Sequence, residues 1–278
     1  PAQAGAPPMT PLSFAAELRR QLGRRRTFWA FVVLLALPLI LIGAFAIGRS
    51  TGPPGGTRLS DLAQQGSANF TVFALSAASD FLLVVLAALF AGDAVPAEAS
   101  WSTLRYLLVA PVPRIRLLSS KWLVAVASLA TALVAYVGWA VLVGGIAYGW
   151  APFTNPAGGL LEWGNLGPRL AVAAAYLFVS LLQVAGLAFL LGVRTDAPLG
   201  AVGVAVLVAI VSSILGQIDS LGDLRNALPL HYQRAWLDLL SPAVDWMAMR
   251  HGVLWSLLYT LVTLALAVWW FRRKDVLS

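Results

Sequence analysis

The sequence contains no cysteine, only two histidines, and few charges: 11% of its 278 residues are Asp, Glu, Lys or Arg. Without cysteine there is no disulfide, no thiolate metal site and no thiol nucleophile. There is no H-E-x-x-H, no G-x-x-x-x-G-K-[ST] phosphate loop and no G-x-S-x-G elbow. His231 and His251 therefore read as surface residues of one late segment, not as a zinc or hydrolase site. The scarcity of charge excludes more. A soluble domain carries about 25% charged and about 45–50% apolar residues, whereas 59% of this chain is apolar. A soluble protein of this length cannot cover that much apolar surface, because water-facing positions need polar side chains.

What is present is a series of long apolar runs. Crossing about 30 Å of hydrocarbon takes roughly 20 helical residues. Six runs qualify, at about 28–48, 70–91, 122–148, 170–193, 198–217 and 253–271. The expected fold class is all-α: a polytopic membrane protein with six transmembrane helices, forming one domain over residues 1–278. Residues 12–27 are expected to form an amphipathic interfacial helix. Phe14, Leu18 and Leu22 share one face there, with Arg19, Arg20, Arg24, Arg25 and Arg26 off it or at its edges. Residues 1–11 read as disordered. Arg25-Arg26-Thr27-Phe28 has a loose twin-arginine look, but the following apolar run exceeds the about 7–15 residues of a signal core. It reads as an uncleaved first span.

Lys and Arg beside the spans set orientation. With the N-terminus inside, only Arg49, Arg58, Arg169, Arg225, Arg234 and Arg250 of the 19 basic residues fall outside. The six spans return the C-terminus inside, next to Arg272-Arg273-Lys274. The expected location is a plasma or inner membrane, with both termini cytoplasmic. The formal charge of +7 is thus an orientation signal, and nucleic acid is not an expected partner. Of the outer segments, Arg49 to Asn69 and Trp150 to Pro168 read as Gly/Pro-rich loops. Ile218 to Gly252 is longer and amphipathic. Leu230 to Leu240 reads as a short helix, and Ser241-Pro242 as the cap and first turn of another.

Asp80 is the acid that falls clearly within a span. A charge there costs about 2.5–3.5 kcal/mol, so it should face protein, water or a partner. Ser76, one turn earlier, shares its face. The two read either as pathway residues or as a polar link between helices. Gln183 and Gln217 are placed to hydrogen-bond across helices, and Ala201, Ala205 and Ala209 form a small-residue stripe suited to close packing.

The segment between the second and third runs mixes an apolar helical face with single charges and ends in two prolines. It reads Glu98-Ala99-Ser100-Trp101-Ser102-Thr103-Leu104-Arg105-Tyr106-Leu107-Leu108, then Pro111-Val112-Pro113-Arg114, then Lys121. This order resembles ABC transporter permeases of the type-2 exporter superfamily: a Glu, a Gly-Thr-Leu, a Leu-Leu pair, Pro-x-x-Arg, and a Lys at the next span. Ser102 replaces the usual glycine and Pro113 the usual serine. The resemblance extends in outline over the whole chain, from the basic N-terminal helix to the Phe271-Arg272-Arg273-Lys274-Asp275 ending. It implies a permease without ATPase motifs of its own, paired with a second copy or a related permease in the bilayer. Two cytoplasmic ATPase subunits would carry ATP and magnesium, and this chain would carry no cofactor. It also implies that Glu98, Thr103, Leu104, Arg105, Leu108, Arg114 and Lys121 form a coupling helix and its flank, seated on the ATPase. The alternative from the residues alone, an ion-gradient-driven secondary transporter, rests on Asp80.

Overall fold

A computed structural model describes residues 23–48, 59–94, 114–155, 159–195 and 197–273. Six helices among the described residues are long and apolar enough to cross a bilayer, the character of a multi-pass membrane protein. They are α1 (Arg25–Gly48), α3 (Ser67–Gly92), α4 (Arg114–Tyr148), α5 (Trp163–Arg194), α6 (Pro198–Leu215) and α7 (Met247–Arg273), with a short α2 (Leu59–Ala63) before α3. The helices alternate in direction. One end of the bundle gathers Arg24, Arg26, Lys121, Arg194, Arg272 and Arg273; this is the basic end. The opposite end carries a small antiparallel hairpin of β1 (Phe153–Thr154) and β2 (Leu160–Leu161), with Phe153 opposite Leu161 and Thr154 opposite Leu160. This hairpin is a departure from an all-α chain.

The most enclosed span is α5, which packs against α3, α4, α6 and α7. Its approach to α7 depends on glycine. A Cβ at Gly186 would overlap Thr263 Oγ1, and one at Gly252 would overlap Tyr176 Oη. Small residues let spans meet at backbone distance, where dispersion and hydrogen bonds replace the missing hydrophobic drive. The stripe Ala201, Ala205, Ala209 is buried against the rest of the chain, while Leu199, Leu207, Val211 and Ile214 on α6 point outward. On α1 only Thr27, Ala30, Leu34 and Pro38 are buried, at helical spacing. Pro38 removes one rung of that helix, and close by Trp139 Nε1 donates to the Leu35 carbonyl at 2.9 Å. Exposed Phe28, Trp29, Ile40 and Ile47 form a surface that water does not tolerate and a bilayer does.

The boundaries differ from the sequence reading where polar contacts extend a helix. Helix α3 begins at Ser67, not Phe70, because Ser67 N–H donates to the Gly149 carbonyl (2.8 Å) and its hydroxyl to Val141 (2.6 Å). Helix α5 begins at Trp163, not Leu170. The Glu162 carbonyl accepts the Asn165 and Leu166 amides, and Pro168 sits early enough to be absorbed. Ser241-Pro242 starts no helix; α7 starts at Met247, whose amide donates to Asp245 Oδ1 at 2.8 Å. Of the expected interfacial helix, Arg25, Arg26 and Thr27 belong to the first turn of α1, Gly23 and Arg24 precede that turn without helical structure, and residues 12–22 lie outside the described residues.

Candidate functional site

Between α6 and α7 the chain forms two 3-10 stretches, Asp219–Ala227 and Gln233–Leu240. They do not rest on the end of the bundle. Gln233 Nε2 donates to the Ser79 carbonyl, and Arg234 forks onto Asp80 with Nε to Oδ1 at 3.0 Å and Nη2 to Oδ2 at 2.6 Å. Asp80 lies about 20 Å along α3 from its Ser67 end at 1.5 Å per residue, so the segment reaches the middle of that span. Asp80 sits in a π-helical turn, Ala78–Leu82, where the Leu83 amide reaches back to the Ala78 carbonyl. Such a turn holds an extra residue and re-aims the side chains around it.

Irregular backbone at membrane depth survives only where protein satisfies its polar groups. Three spans, α5, α6 and α7, do so here. Tyr176 Oη donates to the Tyr232 carbonyl at 2.5 Å, and Arg169 Nη1 to Leu239 and Ser241 at 2.7 and 2.8 Å. Ser212 and Tyr259 donate to Pro229 and Ala227. Gln183 Oε1 accepts the amide of Leu230 at 3.3 Å, while its Nε2 donates to Ser180 and Ser256. Leu230 has a φ of 64°, a left-handed conformation unfavourable for a branched side chain. The Gln183 contact holds it there.

The segment, α2, α3 and β1 enclose a cleft of about 530 Å³. Val72, Phe73 and Leu237 are among its apolar lining; Ser76, Asp80 and Arg234 are its polar side. Trp236 also lines it. That residue is 1% exposed, and its indole N–H has no acceptor among the described residues. Leaving a buried donor unmet costs about 1–3 kcal/mol.

A second polar cluster joins helices at the basic end. Asp93 directly follows α3. Its Oδ1 accepts from Arg26 Nη1 at 3.0 Å, and Arg24 Nη1 stands 4.0 Å from Oδ2. Burial pushes the Asp93 carboxyl above its ordinary range; Arg26 and then Arg24 pull against that shift without cancelling it. Further round this end, Arg194 stacks on Trp270 at 4.5 Å and Arg273 on Trp269 at 4.1 Å. The first cation–π contact ties the ends of α5 and α7, and the second lies within α7.

Of the residues singled out from sequence, Ser76 and Asp80 meet in the cleft, although the Ser76 hydroxyl donates to Val72 in its own helix. Gln183 is buried and bridges α5, α7 and the re-entering segment. Gln217 lies past the end of α6, exposed, and its Nε2 reaches only Ser213 of its own helix at 3.4 Å. Lys121 is buried on α4, and Arg114 opens that helix. Glu98, Thr103, Leu104, Arg105 and Leu108 lie outside the described residues. His231 and His251 flank Tyr232, with ring separations of 4.7 and 6.0 Å, and no group of three or more metal-ligating side chains occurs among the described residues. Sequence reasoning missed Arg234, Trp236 and Asp93. The signal for Arg234 was a lone basic residue in an amphipathic segment that needed somewhere to put its charge.

No curated protein matches the chain at a significant level. A family model described as "Protein of unknown function (DUF2705)" matches residues 31–277, and the chain belongs to that family.

Proposed function

We propose that this chain is the membrane-spanning permease subunit of an ATP-driven ABC exporter, working as a pair of permeases on two separate cytoplasmic ATPase subunits that bind ATP and magnesium. The observation that carries the reading is the charged joint at the basic end. Asp93 ends α3 just before the segment that resembles a coupling helix, and Arg26 and Arg24 fasten it to α1. A displacement of that segment is delivered to two spans at once, which is what a lever needs in order to bias a bistable packing. In this reading the basic end faces the cytoplasm and the chain itself adds no chemistry.

The test is purification of the full chain with its partners from native membranes. An ATPase subunit is expected to copurify. Glu98→Ala and Arg105→Ala are expected to lower transport-coupled ATP hydrolysis about fivefold or more while leaving membrane insertion unchanged. Wild-type coupled hydrolysis in both variants would sink the proposal. Transport driven by an ion gradient without any ATPase would establish the alternative, a secondary transporter. That alternative rests on Asp80, whose carboxylate is paired with Arg234.

A further inference from the structure

We propose that the cleft beside Asp80 is a binding site for an amphiphile with a zwitterionic head, one that carries an ammonium together with a phosphate or carboxylate. Among the described residues, the charged groups lining the cleft are Asp80 and Arg234. They form a neutral pair, so a head of zero net charge enters without leaving a charge uncompensated in apolar surroundings. Each partner keeps unused capacity. The fork onto Asp80 uses Nε and Nη2 of Arg234 and leaves Nη1 outside it. Guanidinium donors are suited to phosphate and carboxylate oxygens. The Asp80 oxygens each accept one bond in that fork and retain lone pairs for an ammonium.

The remaining wall is mostly apolar, with Val72, Phe73 and Leu237 beside the polar Asn69, Ser76, Ser79 and Thr154, and it accommodates the start of a hydrocarbon chain. A pocket of this kind, mostly apolar with a few converging polar groups, is the usual form of a small-molecule site. The inference concerns binding alone and does not depend on an ATPase partner.

The experiment is native mass spectrometry of the detergent-purified full chain, titrated in parallel with phosphatidylethanolamine, phosphatidylglycerol and chain-free phosphoethanolamine. Phosphatidylethanolamine is expected to be retained about tenfold more tightly than either of the others. The double variant Asp80→Asn/Arg234→Gln is expected to abolish the preference over phosphatidylglycerol. Equal retention of the two lipids by the wild type would overturn the proposal, as would equal binding of the chain-free head.

Discussion

At the scale of single residues, Asp80 shows how far a sequence can be read. Its intolerable exposure to hydrocarbon was legible, and so was its need for a partner. The partner was not, because Arg234 lies 154 positions away and nothing local marks it as the complement. Both side chains are partly open, 43% and 71%, so their coupling is modest. A double-mutant cycle of Asp80→Asn and Arg234→Gln is expected to return about 1 kcal/mol in unfolding experiments; a coupling near zero would mean that the fork does not order the segment. Gly252 is a sharper case. It allows Tyr176 to reach the Tyr232 carbonyl, and an added Cβ would meet Tyr232 Cβ at 2.8 Å besides overlapping the Tyr176 hydroxyl. Gly252→Ala is expected to destabilise by about 1–3 kcal/mol, read as a lower melting temperature. Gly164→Ala, which has open space around it, serves as the neutral control.

At the scale of elements, the six spans were legible because length and apolar content define them, and the segment between α6 and α7 was legible only as amphipathic. Its course toward mid-α3 was not, since it depends on side chains from three helices satisfying its carbonyls. The short hairpin was equally hidden. Two-residue strands leave no periodicity, and β1 is held by Asn69, whose amide exchanges two 2.9 Å bonds with Thr154. The re-entering segment also carries a pH dependence. Burial, and then Arg225, lower the His231 pKa from 6.5. The folded state therefore prefers the neutral ring. The resulting stability is complete above pH 6.5 and is lost as the pH falls through the lowered value. Protection factors for amide exchange across residues 219–240, corrected for the intrinsic pH dependence of exchange, are expected to fall on acidification below pH 6.5, and His231→Gln is expected to flatten that response. An identical acid response in the variant would assign it to another group.

At the scale of the whole molecule, the distribution of Lys and Arg and the alternation of the helices make a joint claim about sidedness. The cationic side chains Arg24, Arg26, Lys121, Arg194, Arg272 and Arg273 collect at one end, and the hairpin and the 3-10 segment at the other. In the proposed exporter, the retention of Lys and Arg on the cytoplasmic side during insertion puts the basic end inside the cell. The same orientation puts the coupling-like segment, which follows Asp93, within reach of a cytoplasmic partner, so an inverted topology would remove the proposed lever along with the sidedness. The absence of cysteine makes the question accessible, because each introduced thiol is the only one in the chain. Ser220 lies exposed on the segment between α6 and α7, and Ser119 lies exposed near the start of α4. In intact cells, a membrane-impermeant maleimide is expected to label Ser220→Cys and spare Ser119→Cys. After permeabilisation both are expected to react. Labelling of Ser119→Cys in intact cells would place the basic end outside and leave an ATPase nothing to push against.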